Sequence, residues 1–361
     1  MRGTRGWVAA LVCAACGRAG AEDFKIQSFN GTGQLTFNEI STATVYRVEW
    51  APTPSGPWTN SWDALAAIAA TGSGSVTCSV PMCYRVVATV TNASTETVPQ
   101  SMVLIPGGTN SGTDPDYGAY SLTVEAFYMD RFEVTKALWD EVRAWALGNG
   151  YTDLTTGGGK AANHPAHSVN WYDAVKWCNA RSQKAGLTPV YYTDEAMTQV
   201  YKNGDVSEPY VKASAVGYRL PTDVQWEYAA RGGVASRRFP WSDTNTIQHA
   251  RANYFSDSLY DYDTSPTREL HPTYATGDGE PYTSPAGSFA PNGYGLYDMA
   301  GNVFELCHDW YPGFEGSHRV LHGGGWYDYG YYCRVARRHR CEPYFRFNLF
   351  GFRAVLPLGQ Q

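Results

Sequence analysis

Charge is scarce in this 361-residue chain. Only 17% of residues are Asp, Glu, Lys or Arg, and the net charge is −6. That balance gives no basic footprint for nucleic acid or an anionic membrane surface. No run approaches the ~18 uninterrupted apolar residues of a membrane-spanning helix. No His occurs before His164, and Gly-x-Ser-x-Gly, the P-loop and His-Glu-x-x-His are all missing. Those absences remove the common signatures of the α/β-hydrolase, P-loop nucleotidase and zinc peptidase. The stretch "GYGLYD" lacks the third Gly of a dinucleotide fingerprint and leads into no helical pattern.

Gly (37), Tyr (26) and Trp (12) are abundant instead. Such a composition favours turns and irregular segments over long helices, and the length suggests about two domains. The first residues, "MRGTRGWVAALVCAACGRAGAEDF", combine Arg2 and Arg5, a short apolar run from Trp7 to Cys16, and Ala19-Gly20-Ala21. This reads as a signal peptide over 1–21, which would carry Cys13 and Cys16 away and place the protein outside the cytoplasm. A lipoprotein acylated at Cys16 is the runner-up. Six cysteines then remain. Cys78 and Cys83 flank "SVPM", a short turn, and read as a local disulfide in an exported protein. Cys178, Cys307, Cys333 and Cys341 allow three full pairings or free thiols.

Residues 22–98 alternate apolar and polar in short runs, most clearly in "TVYRVEWA" and "CYRVVATV". They read as a small all-β sandwich, loosely like a fibronectin type III module. Residues 99–361 read as α+β. "MVLIPGG" is a strand with a Gly turn, and Val134 to Leu147 carries Leu138, Val142 and Trp145 at helical spacing. Asn170 is the natural cap of a second helix stopped by Gly186, and Thr222 of a third stopped by Gly232-Gly233. After Gly233 regular structure is expected to thin out.

The ordered blocks "MVLIPGG", "EVT", "HPAHSVNWYDAVKWCN", "YRLPTDVQWEYAARGG", "FPWSD", "ANYF", "SPAGSFAPNGYGLYDMAGNVFELCHDWY", "RVLHGGGWYDYGYYCRVARR" and "NLFGFRAV" resemble the formylglycine-generating enzyme, or sulfatase-modifying factor, family. The resemblance covers about 102–356. It implies a C-type-lectin-like fold low in regular secondary structure. One branch of that family oxidises a Cys within a C-x-P-x-R segment of sulfatases with copper and oxygen. A second branch uses a non-haem iron with histidines from an N-terminal helical bundle, which a β module without His cannot supply.

The resemblance also implies calcium. Asp298 and Glu305 would offer carboxylates, with the Gly301 and Val303 carbonyls, as suits a hard cation taking six to eight oxygens. A second, weaker set joins Asn253 and the Tyr254 carbonyl to Asp278 and the Glu280 carbonyl, across an insertion. On residue types alone, Asp298 and Asn302 are ordinary turn residues.

For copper, active relatives place two cysteines five positions apart after a Gly turn. Counting on from "GGGW", the first falls on Cys333, the candidate catalytic residue, and the second on Arg338. A guanidinium has no lone pair to give and stays charged, so copper is doubtful. For "CRVARRHRC" three readings stand: a Cys333–Cys341 disulfide, a packed Cys333 or one paired with Cys307, and a divergent copper site with Cys341 or His339. The neighbouring arginines read as structural forks to carboxylates. Two functions follow. One is an exported, calcium-stabilised, lectin-like protein with oxidase activity lost or altered, which binds a peptide, protein or other extracellular ligand. The other is an active oxidoreductase acting on a protein cysteine.

Overall fold

The computed structural model describes residues 101–277 and 279–358 in full and, before them, the backbone of five strands between 26 and 90. The segment read as a signal peptide, Cys78, the side chain of Cys83, and Asp278 lie outside the described residues. The chain divides into two compact units, Met1–Val98 and Pro99–Gln361.

In the first unit β1 (Ile26–Phe29), β2 (Gln34–Phe37), β3 (Ala43–Ala51), β4 (Ser75–Thr77) and β5 (Cys83–Val90) form two antiparallel groups, ordered β1-β2-β4 and β3-β5. β3 and β5 are the two runs whose alternation is plainest in the sequence.

The second unit is a mixed structure with few helices and many short strands. It opens with β6 (Met102–Ile105), β7 (Gly108–Asp114), β8 (Gly118–Val124) and β9 (Phe127–Asp130). β7 and β8 form a hairpin. Asp114 closes it by accepting the Asp116 and Tyr117 N–H groups at 3.0 and 3.2 Å, an Asx turn. The three helices are α1 (Lys136–Leu147), α2 (Trp171–Lys184) and α3 (Asp223–Ala230), with the short pair β10 (Tyr191–Tyr192) and β11 (Tyr210–Val211) between the last two. Each helix starts where a cap dictates. Thr135 accepts from the Leu138 N–H, so α1 begins two residues later than the apolar periodicity alone suggests. Asn170 with Asp173, and Thr222 with Gln225, form reciprocal capping boxes on α2 and α3. Gly186 and Gly232, both at positive φ, follow the helix ends.

The remaining strands are β12 (Phe304–Trp310), β13 (Arg319–His322), β14 (His339–Cys341), β15 (Phe350–Gly351) and β16 (Val355–Pro357). Four of them build a sheet in the order β14-β13-β12-β15, with β15 parallel to β12. Regular structure therefore does not thin out as expected after Gly233: the largest sheet of this unit lies there. β16 returns to pair with β9, which also pairs with β6.

The core gathers Ile105, Phe127, Met129, Trp226, Leu296, Cys307, Val320 and Val355 between these sheets and α3. Trp139 of α1 stacks on Trp177 of α2 with ring centroids 5.8 Å apart, and Phe352 meets both edge-on. Arg181 of α2 forks onto Asp130 of β9 at 2.6 and 2.9 Å, tying the helical layer to the strands. Among the described residues no helix is long and apolar enough to cross a membrane.

Candidate functional site

The chemistry-bearing side chains collect where α3 crosses the β12–β13 strands. Asp223 is the first residue of α3, where a carboxylate suits the helix dipole. It accepts Arg338 Nε on both oxygens, at 2.8 and 2.7 Å, and His322 Nε2 at 2.7 Å. A carboxylate can only accept, so the His322 proton sits on Nε2, and Nδ1 is left buried without a partner. Burial would raise the Asp223 carboxyl, but His322 and Arg338 together hold it below its ordinary value. One turn on, Glu227 lies 3.6 Å from Arg338 and 2.7 Å from Arg231, which reaches Asp114 at 3.0 Å. The result is an ionic chain running Asp114–Arg231–Glu227–Arg338–Asp223–His322.

Trp226 joins this chain to a second one. Its ring stacks on His322, centroids 4.5 Å apart at 7°, while its Nε1–H donates to Glu305 at 2.7 Å. Glu305 is fully buried and clamped by Arg353, with Nε and one terminal nitrogen each at 2.6 Å. Glu133, also buried, accepts from Asn302 Nδ2 at 2.6 Å and from the Val303 N–H at 3.1 Å. Burial, Asp298 and Glu305 push its carboxyl well above the usual range. Asp298 accepts the Gly287 N–H on Oδ2 at 2.6 Å, and its Oδ1 is buried with no partner. Burial raises its carboxyl to about 6. Asp298, Gly301 and Asn302 all adopt left-handed φ, and a Cβ on Gly301 would run into the Asn253 carbonyl.

Of the first expected calcium set, the Asp298 and Glu305 carboxylates lie near one another and near Arg353. Arg353 pairs with Glu305 and lends its charge to Glu133 and Asp298, and Asp298 Oδ1 lacks a donor. Glu305 is committed on both oxygens, Oε1 to Arg353 and Oε2 to Arg353 and Trp226, so the free Asp298 Oδ1 is the carboxylate oxygen of this set open to a hard cation. A cleft of about 330 Å³, lined among others by Trp241, Arg251 and Met299, reaches Asp298. In the second set, Asn253 Nδ2 donates to the Tyr282 carbonyl at 2.8 Å, and the Tyr254 carbonyl lies 3.2 Å from His249 Nε2. Glu280 is exposed. Among the described residues no three His, Cys, Asp or Glu side chains come together as a ready metal cluster.

Cys333 lies 0% exposed among Phe239, Ile247, Ala252, Tyr254 and Ala300. Burial, with Asp328 and Asp263 nearby, raises its thiol well above the ordinary value. Cys178, Cys307 and Cys341 are also buried and free, so neither proposed pairing of Cys333 is formed. Arg338 is bound to Asp223 and Glu227, and the donors do not fit a two-thiolate copper site. His339 stacks on Phe304 at 5.0 Å. Four of the neighbouring arginines do fork to carboxylates: Arg334 to Asp116, Arg338 to Asp223, Arg346 to Asp173 and Arg353 to Glu305.

Glu133 was not singled out from the sequence, since its partners lie some 170 positions away. The expectation that the chain holds no His-x-x-x-His is wrong, since His318 to His322 is one. It runs into a strand, where residues four apart stand ~13 Å from each other. His318 is partnered by Ser317 and His322 by Asp223, so the two do not converge. His164 and His167 are loop residues bonded to Thr283 and Ser168. Tyr327 and Tyr329 are exposed around Phe255, and Tyr344, Phe345 and Phe347 are exposed on the loop after β14.

Residues 87–358 match the sulfatase-modifying factor enzyme 1-like domain. The chain is 33% identical over 237 residues to the chaperone protein LppX of Paenibacillus barcinonensis, covering 64% of this chain and 80% of that protein. It is 30% identical over 308 residues to the formylglycine-generating enzyme of Thermomonospora curvata, covering 73% of this chain and 95% of the relative. Among solved structures, CarF superposes with a TM-score of 0.56 at 28% identity, over 71% of this chain and 98% of CarF. Treponema denticola variable protein 1 gives 0.54 at 28%, over 71% and 95%.

Proposed function

This chain belongs to the sulfatase-modifying factor enzyme 1-like family, and from that premise we propose that it is an exported binding member of the family, without the copper-dependent cysteine oxidation. One observation carries the reading. Arg338 stands where the second thiolate is expected, and its guanidinium is fixed on Asp223 and Glu227. Cys333 is left alone in an apolar cluster with its thiol held protonated. Without a second thiolate beside it, Cys333 offers one soft ligand where a two-thiolate copper site needs two.

The occupant is a polypeptide segment or another extracellular ligand. The exposed Tyr327 and Tyr329, and the Tyr344–Phe347 loop, offer the aromatic contact area that peptide recognition uses. The relative named as a chaperone supports a polypeptide ligand. The scaffold is C-type-lectin-like, with the N-terminal β sandwich as a spacing module and Cys78–Cys83 as its local disulfide. Calcium would be held by Asp298, Glu305 and the Gly301 and Val303 carbonyls. Asn253, Tyr254, Asp278 and Glu280 form a weaker second set. Bound there, calcium would supply charge balance to buried carboxylates and rigidity to the left-handed Asp298–Asn302 turn.

The likeness to a formylglycine-generating enzyme over 95% of its length favours a second reading, a retained oxidase using Cys333. One experiment separates the two. The purified protein is reduced, loaded with Cu(I), and incubated in air with a C-x-P-x-R peptide while the peptide mass is followed. The binding reading expects no aldehyde and no retained copper. Conversion to formylglycine, abolished by Cys333→Ser, would establish the oxidase instead.

A further inference from the structure

Three rings of the exposed aromatic surface, Phe255, Tyr327 and Tyr329, come from two segments tied backbone to backbone. The Phe255 N–H donates to the Asp328 carbonyl at 2.9 Å, and Phe255 forms a β-bridge with Tyr329. Tyr327 meets the Phe255 ring at 62° with centroids 6.0 Å apart, and Tyr329 meets it at 82° and 5.4 Å. Buried Trp326 packs on Tyr327 at 5.4 Å. Tyr327 is nevertheless 54% and Tyr329 37% exposed, and Phe255 is half-buried. The rings are fixed by their neighbours and still face water.

Other aromatic faces of this unit are covered by cations. Tyr331 carries Arg334 and Arg337 at 4.1 and 4.6 Å, Tyr262 carries Arg238 at 4.4 Å, and Phe314 carries Arg340 at 3.7 Å. Among the described residues no Lys or Arg lies over Phe255, Tyr327 or Tyr329. The charge around these three is negative. Asp328 stands between the tyrosines, Asp257 follows Phe255 by two residues, and the Glu269 carbonyl accepts the Ser256 N–H at 2.9 Å. Among the described residues the Asp257 and Asp328 carboxylates are bonded to backbone N–H groups alone, at 2.8 and 3.1 Å. The Arg268 guanidinium is already paired with Asp263 at 3.1 Å.

We infer that Phe255, Tyr327 and Tyr329 bind the alkylammonium head of a lysine side chain on the polypeptide ligand, an inference that rests on the polypeptide reading above. A ring face is the negative side of the aromatic quadrupole, so a cation gains there what a neutral group of the same shape does not. Asp257 and Asp328 add attraction at longer range. The steep angles between the rings suit a rounded ammonium, which presents the same surface in every direction. A planar guanidinium stacks on one face.

The test is ligand-observed NMR titration of the whole protein at pH 8, where the Asp328 carboxyl, raised to about 7 by burial, is ionised. The probes are tetramethylammonium and tert-butanol, a neutral molecule of similar size and shape. Two Gly-Ser octapeptides follow, one with a central Lys and one with that Lys acetylated, which removes the charge. Tetramethylammonium should bind at least about fivefold tighter than the alcohol, and the Lys peptide at least about threefold tighter than its acetylated twin. Tyr327→Leu with Tyr329→Leu, at exposed positions, should bring each pair of affinities within about twofold, whereas Tyr327→Phe with Tyr329→Phe should keep both preferences. Equal binding of the two small probes, equal binding of the two peptides, a charge preference that survives the leucine pair, or one lost in the phenylalanine pair would each overturn the inference. Peptides bound equally well would leave the polypeptide reading standing and remove the lysine alone. Selection of tetramethylammonium with neither peptide bound would remove the polypeptide reading, and the lysine occupant with it.

Discussion

Arg353 pairs with Glu305 and lends its charge to Glu133 and Asp298, and its removal is the most informative perturbation of the second unit. Arg353→Met keeps much of the stem's volume and deletes the charge. Both partners of the Arg353–Glu305 pair are 0% exposed, so water cannot take over. Breaking a buried pair by removing one partner costs about 3–5 kcal/mol. At about 2–4 °C per kcal/mol for a domain near this size, the midpoint should fall by about 6–20 °C. Thermal unfolding in EDTA, followed by near-ultraviolet circular dichroism, gives that number directly. A second arm adds calcium. If Asp298 and Glu305 hold it, calcium at a hundredfold excess over the dissociation constant should stabilise both proteins by about 2.7 kcal/mol, a midpoint rise of about 5–11 °C. A loss under about 1 kcal/mol in EDTA would refute the claim that Glu305 depends on this guanidinium for its buried charge. Identical midpoints in EDTA and calcium for both proteins would remove calcium from this turn.

Two other outcomes follow from single side chains. Burial pushes the Asp328 carboxyl up to about 7 against the Gly325 N–H that it accepts, while the unfolded chain releases that proton near 4. The folded state then binds the extra proton between those values, so this group's contribution is fully present below about pH 4 and is lost as pH rises to 7, at up to about 1.4 kcal/mol per unit. Asp328→Asn should flatten that slope, leaving stability at pH 4 nearly unchanged and raising it at pH 8; chemical denaturation across the range would show an unaltered slope if the carboxyl is not perturbed. Gly301→Ala forces a Cβ onto the Asn253 carbonyl at a φ of +80. It should cost at least about 2 kcal/mol, and a midpoint within a degree of the parent would show that the turn can relax.

The helices were legible because their signals are local. Asn170, Thr222, Gly186 and Gly232 act on neighbours within one turn. β3 and β5 were legible because they alternate with period two. β12 and β13 were not: Phe304 to Cys307 and Arg319 to His322 are buried in unbroken runs, and strands covered on both faces lose their alternation. The β7–β8 hairpin was missed because "GTNSGTD" offers Gly, Ser and Thr in place of β-branched apolar residues. Cys333, Asp298 and Glu305 were singled out by their place in ordered blocks. Glu133, His322 and Asp223 were not, because each matters through a partner between 99 and 170 positions away, and no local pattern encodes that pairing.

The four sheltered thiols have a use as clocks. Cys178 sits in α2, Cys307 in β12, Cys333 in the turn before β14 and Cys341 in β14 itself. A maleimide or similar electrophile reacts with the thiolate, and burial keeps each of these groups protonated and out of reach. Modification in native buffer must then wait for the surrounding element to open, so each sulfur times the excursions of its own part of the fold. Mass spectrometry of the labelled peptides would rank the helix, the central strand, the turn and the edge strand by how often each lets solvent in. The same chain also has no need of thiol exchange to reach its described fold beyond residue 100, so refolding of that part should proceed at the same rate in reducing and in mildly oxidising buffer.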